Sequence, residues 1–362
     1  MVKVSFLGDI SLNGKYNNCY SNKIKPFSNI GNYLSKSDFV VGNLECMSKG
    51  TNGENLLKKP RLNTNNKTLN YLKDINLTTV TLAHNHVYDN LESGFNETIK
   101  KLSNLNINYL GAGYSENEAK KPLIVEKNGI KLGYINYVTQ DTNPNVPQNA
   151  NIYLNNFNID DIKEDIMNLR KEVDYVICLF HWGGRVEKGM YPDFNQPNLA
   201  YKIIDSGADL IIGHHSHTLQ PFEVYKGKYI FYSLGNFCFS DIYSDGKIYE
   251  VNQDTGSKSI IVDVVFSKDK YNISLQYIKN KNLFIELDNN LKTEQSYLNR
   301  IKIFNFIKNK KWLWNLYWIK YKHYNPIKFY FFGNNKNPFI QLKKLDLKKV
   351  INYILKKLKG KI

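Results

Sequence analysis

The 362-residue chain is short of several things, and each shortage narrows what it can be. Its four cysteines, Cys19, Cys46, Cys178 and Cys238, are far apart. Without a C-x-x-C pair there is neither a zinc ribbon nor a dithiol redox motif. No G-x-G-x-x-G and no Walker-type glycine loop occurs, so nothing marks a nucleotide-phosphate cradle, and the "GAGYSENEA" stretch reads as an ordinary βα turn. No apolar run approaches the roughly 18 residues of a membrane span. The opening run in "MVKVSFLGDIS" is about six residues, too short for a secretory-leader core, and the expectation is a cytoplasmic protein. Acids are missing from one region. Residues 291–362 hold 18 of the 49 Lys+Arg but two of the 33 Asp+Glu, Glu294 and Asp346, leaving 31 of each sign in 1–290. A neutral body and a strongly basic tail mark two modules.

Histidine is scarce as well, and its placement is uneven. Six of seven fall in three segments, "TLAHNHVYDN" (His84, His86), "VICLFHWGG" (His181) and "IIGHHSHTLQP" (His214, His215, His217), with His323 in the tail. Each segment begins as an apolar, β-branched run and ends in Gly, Asn or Asp, the pattern of a buried strand entering a loop. A lone buried His is usually a hydrogen-bonded core residue. Six at strand ends, where open α/β sheets bind ligands, point instead to a shared metal site. Other strand ends supply oxygen donors: Asp9 after Gly8, Asn43 and Glu45 in "FVVGNLEC", and Asn85 with Asp89 beside His86. Carboxylates plus imidazoles suit Mn, Fe or Zn. Asp9, Asn43, Glu45, Asn85, His181, His215 and His217 are enough donors for one or two divalent ions. On an extended segment His215 and His217 would point the same way and His214 away.

Strand runs are expected over Val2–Leu7, Phe39–Val41, Thr79–Leu82, Asn108–Leu110, Leu123–Val125, Leu132–Tyr137, Tyr175–Phe180 and Leu210–Ile212. Helical patterns lie between them over Asn65–Asp74, Glu92–Leu105, Ile159–Glu172 and Pro197–Ser206, which is βαβ alternation. After Gly213 two hairpins follow, around Lys226-Gly227 and around Ser267-Lys268-Asp269. Two packed sheets flanked by helices accommodate this better than one open sheet.

The ordered motifs Gly8-Asp9, Asn43-Leu44-Glu45, Asn85-His86-Val87-Tyr88-Asp89, His181-Trp182-Gly183, Gly213 to Pro221 and Tyr232 to Phe237 resemble the CapA family. These are bacterial capsule and poly-γ-glutamate biosynthesis proteins related to calcineurin-like metallophosphatases. The resemblance covers about residues 2–240 and extends through the second hairpin. It implies an α/β, four-layer αββα sandwich over 1–285. It implies that Asp9 and His217 bind one metal, that Asn85, His181 and His215 bind a second, and that Glu45, with Asn43, stands where metallophosphatases place a bridging Asp. His86, with Asp89, would be the catalytic acid or transition-state partner. The implied activity is a phosphoesterase-like hydrolase acting on a cell-surface polymer or its precursor. The alternative is a non-catalytic polymer-binding or assembly factor. Where metallophosphatases open with D-x-H, this chain has Asp9-Ile10-Ser11. Capsule polymer and other capsule-synthesis proteins are the partners the resemblance suggests.

The extension over 286–362 mixes Trp312, Trp314 and Trp318 with Tyr, Phe and Lys. Near its end Leu347, Val350, Ile351, Ile354, Leu355 and Leu358 fall at helical spacing between lysines, a basic amphipathic pattern. Helical capping of the body would explain the apolar stripe but not the charge. Nucleic acid is disfavoured, because the body shows no basic stripe. An anionic membrane surface accounts for both features, with aromatics at the interface and about 1 kcal/mol per nearby Lys. The expectation is a mostly helical extension holding the protein at the inner face of the cell membrane.

Overall fold

The computed structural model describes residues 1–249 and 257–324. The chain divides into two units after Phe304.

The first unit is built on two mixed sheets. One runs β18 (Phe284–Leu287), β17 (Tyr271–Lys281), β16 (Lys258–Phe266), β1 (Val2–Ile10), β2 (Phe39–Leu44), β3 (Thr79–Thr81) and β4 (Asn108–Leu110), with β13 (Asn236–Cys238) also pairing with β1. Strands β1 to β4 are parallel and β16 to β18 antiparallel. The other runs β11 (Phe222–Tyr225), β12 (Lys228–Phe231), β10 (Leu210–His214), β9 (Tyr175–His181), β7 (Ile130–Val138) and β6 (Leu123–Lys127). Its inner strands are parallel and its two edges antiparallel. Two short ribbons complete the strands among the described residues: β5 (Ala112–Gly113) with β8 (Tyr153–Leu154), and β14 (Ile242–Ser244) with β15 (Lys247–Tyr249).

The sheets share one core. Val4, Phe6 and Val262 from the first meet Leu132, Ile177 and Ile212 from the second. The first sheet's other face is covered by α1 (Lys15–Ser21), α2 (Ser28–Leu34), α3 (Tyr71–Asp74) and α4 (Leu91–Asn104), whose Tyr16, Ile30, Leu72 and Phe95 join a second core. The short α5 (Glu116–Lys120) is capped by Ser115. Over the second sheet lie α6 (Ile159–Leu169) and α7 (Gln196–Asp205); Leu169 fills the space above Gly133, where a Cβ would come within 2.8 Å of it. The result is a mixed α/β fold with paired sheets and outer helices.

The expected strands and helices appear, with small shifts at their ends, except that Asn65–Asp74 is a 3₁₀ turn followed by the four residues of α3. Both hairpins are present, and Lys226 (φ 49°) and Gly227 (φ 77°) give the left-handed pair a tight turn requires. The body reaches further than 285. Helix α8 (Leu291–Ile307) begins within it, Tyr297 being buried with its hydroxyl donating to the Gln220 carbonyl at 3.0 Å. The second unit is described from Asn305 to Tyr324 and contains α9 (Lys311–Ile319), on which Trp314 stacks with Trp318. The amphipathic pattern over 347–358 lies outside the described residues. Among the described residues no helix is long and apolar enough to cross a membrane.

Candidate metal centre

The carboxyl ends of β1, β2, β9 and β10, with the turn after β3, deliver the polar residues to one place. Gly8 makes the approach possible. The Asp9 amide donates to the Gly235 carbonyl at 2.9 Å, and a Cβ on Gly8 would lie 2.0 Å from that oxygen. Register between β1 and β2 shifts between Phe6 and Asp9, after which Asp9 stands opposite Asn43. Gly213 is equally constrained, since a Cβ there would meet the Tyr232 carbonyl at 2.1 Å.

Glu45, just past β2, is the centre of the cluster. It is fully buried, and neither carboxylate oxygen has a hydrogen-bond partner. Its Oε1 lies 3.7 Å from His181 Nε2, 3.7 Å from His217 Nε2 and 3.9 Å from His86 Nε2. Two donor groups share it: Glu45, His181 and His215, and Asp9, Glu45 and His217, each with ligand atoms within 4.8 Å of one another. His181 Nε2 also lies 3.0 Å from Asn85 Oδ1 and 2.9 Å from His215 Nδ1. His217 Nδ1 lies 3.5 Å from Asp9 Oδ2 and 3.0 Å from Asn236 Oδ1.

Burial pushes Glu45 well above the usual carboxylate range, against the pull of His217. Burial pushes Asp9 the same way, but His214 and His217 outweigh it and hold Asp9 well below that range. Burial acts to lower His217, yet Glu45 and Asp9 raise it to about 10. His84 and His215 are driven down to about 3 and about 4, burial being the main cause, and His181 falls well below its ordinary value for the same reason. These opposed shifts describe two buried acids and several imidazoles set against one another in a single desolvated cluster.

That chemistry fits a divalent cation. Buried polar groups are normally hydrogen-bonded, yet both Glu45 oxygens and His215 Nε2 are left without partners where the donors converge. A cation accepts all three, and mixed carboxylate and imidazole donors are its usual ligands. Asn43 sits differently from the expected ligand. Its Nδ2 donates to Asp9 Oδ1 at 2.9 Å and faces His181 Nδ1 at 3.3 Å, while its Oδ1 accepts from Thr81 at 3.0 Å. In this arrangement it orients Asp9 and His181.

The expectation for His214 is corrected. The segment is not extended: His215 (φ 94°) and His217 (φ 55°) are left-handed, so two-residue alternation does not apply. His214 faces the cluster, its Nδ1 3.2 Å from Asp9 Oδ1. Ser11 is no donor to the centre; its hydroxyl donates to Asn13 Oδ1 at 2.9 Å.

Beside the donors, His86 Nδ1 and Asp89 Oδ2 are 2.5 Å apart, and Asp89 Oδ2 also accepts from the Leu62 amide at 2.6 Å. The His86 amide donates to His84 Nδ1 at 3.0 Å, which gives His84 a place in fixing the turn. Burial and Lys58 lower His86, against Asp89. Lys58 went unread in the sequence. It is buried, donates to the Asn85 carbonyl and lies 3.4 Å from Asp89 Oδ1. Glu187 is the other residue the sequence reading missed; it lines the cleft with His86, His215 and His217. Its position six residues past His181, beyond the H-W-G turn, is the signal that points to it in retrospect. The cleft over the centre holds about 230 Å³.

Residues 3–241 match the profile of a family described as bacterial capsule synthesis protein PGA_cap. The chain is 33% identical over 254 residues to the PGA biosynthesis protein CapA of Bacillus subtilis (strain 168), covering 66% of this chain and 63% of that protein. It is 31% identical over 225 residues to the capsule biosynthesis protein CapA of Bacillus anthracis, covering 59% and 53%. The chain therefore spans less than two thirds of the length of these relatives. Among solved structures, a 5′-nucleotidase precursor from Thermus thermophilus overlays with a TM-score of 0.46 at 13% identity, over 84% of this chain and 59% of that one.

Proposed function

The chain belongs to the bacterial capsule synthesis protein family, and from that premise we propose that it is a metal-dependent, phosphoesterase-like hydrolase acting on a capsule polymer or its precursor. The observation that carries the reading is the buried, unpartnered Glu45 carboxylate shared by two donor groups. Asp9 and His217 hold one side of the site, and His181 and His215, with Asn85, hold the other. A divalent ion bound there supplies Lewis acidity and lowers the pKa of water toward neutrality.

The chain's own contribution is positioning and proton transfer. Asp89 accepts from His86 Nδ1 and so fixes the tautomer that presents Nε2 to the cleft. From there His86, once Nε2 is also protonated and the imidazolium is paired with Asp89, would donate the Nε2 proton to a leaving oxygen and return to the neutral Nδ1–H form. Lys58 pairs with Asp89 and ties it to the Asn85 backbone. Asn43 and Asn236 orient Asp9 and His217.

A second reading, a non-catalytic assembly factor on the same fold, is favoured by one feature: Ser11, turned to Asn13, stands where a D-x-H ligand would be. Metal content separates the two. Protein reconstituted with Mn²⁺ or Zn²⁺ is expected to hold one or two equivalents, and less than about 0.1 equivalent sinks the hydrolase. A screen of phosphomonoesters, phosphodiesters and γ-glutamyl peptides with the loaded protein then identifies the bond cleaved.

The extension is proposed to hold the protein on an anionic membrane surface. Support comes from α9, where Trp312, Leu316 and Ile319 are all more than half exposed.

A further inference from the structure

A second, larger recess opens beside the metal cleft. It is a groove of about 700 Å³ formed by the loop between β7 and α6 against α5 and the start of α6. That volume lies within the roughly 300–1,000 Å³ that ligand sites span. The groove and the cleft share Asn143 in their linings, and Gln140 in the groove directly precedes Asp141 and Thr142 in the cleft. A chain lying in the groove would therefore run toward the metal centre.

The lining has an unusual composition. Gln140, Asn143, Asn145, Gln148, Asn156 and Asn158 contribute six side-chain amides. Gln140 and Asn156 are bonded to each other at 2.7 Å, and Asn158 caps α6. Among the described residues Asn143, Asn145 and Gln148 make no side-chain hydrogen bonds, so their donors and acceptors face solvent or a ligand. Among the described residues the one cation in the lining, Lys120, is tied to Glu116 at 2.8 Å and Asp161 at 3.2 Å. Its described lining thus carries two acids to one base and no free positive charge. Tyr153 is 46% exposed in it, and Phe157 lies alongside.

We propose that this groove is a binding subsite for an uncharged, hydroxyl-rich chain, an oligosaccharide. Each amide offers both a donor and an acceptor, which matches hydroxyls that also do both. An exposed Tyr gives a sugar's C–H face an amphipathic platform. Among the described residues a polyanion such as a γ-glutamyl chain would meet net negative charge with no free cation to pair it. The subsite rests on the groove's lining alone and does not require the metal.

Titration calorimetry and amide-shift NMR on the full chain test this. The probes are an N-acetylglucosamine tetramer, maltotetraose and a γ-glutamyl tetramer. At least one saccharide is expected to bind at millimolar concentration or tighter, perturbing amides within 140–158, with no loss between low and high salt. Tyr153→Ala is expected to weaken it about tenfold, with Tyr153→Phe close to wild type and Gln148→Ala weaker by about threefold. If Tyr153→Ala fails to fold, Gln148→Ala and the shift map decide. His215→Ala should leave saccharide binding intact, so loss of the metal reading would not remove this one. Absence of binding by both saccharides, shifts mapping elsewhere, or tighter, salt-sensitive binding of the γ-glutamyl probe in the groove would overturn the proposal.

Discussion

Strand β10 has a buried polar cluster at each end, and the two differ in one respect. At its start, Asp209 is fully satisfied: its carboxylate accepts from the Val176 amide at 2.9 Å, from Lys228 at 2.6 Å and from Arg170. Beyond its other end, Glu45 is just as buried and accepts from nothing. A buried acid that folding has provided for is hydrogen-bonded. The contrast shows that burial of a carboxylate does not by itself mark a site, whereas burial of one with both oxygens unpartnered among converging imidazoles points to one.

The largest effect expected from this contrast is an exchange of phenotypes. Glu45→Gln should abolish metal binding while leaving the melting temperature of the metal-free protein unchanged or raised, because an unpaired buried acid is removed. Asp209→Ala should keep full metal content and lose about 1.5–3 kcal/mol of stability, the usual worth of hydrogen bonds to a charged group. Metal analysis and thermal melts on both variants check this. Equal destabilisation by both, with metal retained by Glu45→Gln, would erase the distinction. Asp9→Ala and His215→Ala belong with Glu45→Gln and should also empty the centre.

Next in size is the separation of chemistry from binding within the unsatisfied end. His86→Ala should keep near-full metal occupancy and lose about 10²–10⁴-fold in rate, the range for acid–base catalysis. An unchanged rate on the cleaved substrate would remove His86 from the mechanism. Residues behind the donors should cost less. His214→Ala, which leaves Asp9 Oδ1 held by Asn43 alone, should weaken metal affinity by about 10–100-fold. Lys58→Met should lower the rate by about tenfold with metal retained, by loosening Asp89. Metal titrations and steady-state rates distinguish the two.

Much of the metal-centre end of this contrast was legible in the sequence. Strand-end placement and motif order pointed to Asp9, Glu45, Asn85, His181, His215 and His217, because apolar β-branched runs announce strands and a histidine at each exit stands out. The structure brings these together. What the pattern did not carry was loop conformation. The left-handed backbone at His215 and His217 depends on how β10 meets the loops around it, so reading the segment as extended misplaced His214. Lys58 was invisible for a related reason: it arrives from a long loop whose course only tertiary contacts fix. Asn236 lay in a motif noted without a role, and β13 pairing with β1 supplies one by setting it opposite Asp9. Helices α1 and α2 were also missed. "KYNNCYS" and "SNIGNYL" are Asn-rich and weakly helical by propensity, and burial of Tyr16, Cys19, Ile30 and Leu34 overrides that preference.

The smallest effect on either end of β10 should come from removing the basic extension. Both clusters lie within 1–304, the first of the two units. Tyr297 and Phe304 pack in that unit, Phe304 with its ring 5.5 Å from Tyr232, so a truncation belongs after Phe304 rather than before α8. The truncated protein should match the full chain in metal content and lose attachment to anionic vesicles. The full chain should float with phosphatidylserine-containing liposomes at low salt and less so at high salt, since each lysine near the surface contributes about 1 kcal/mol and is screened. Flotation of both proteins to the same extent, or indifference to lipid charge, would refute the membrane role. Tighter binding of the full chain to RNA than to such vesicles would reassign the lysines to nucleic acid. Loss of metal on truncation would show that the extension contributes to the centre after all, and the distinction between the two ends of β10 would then have to include it.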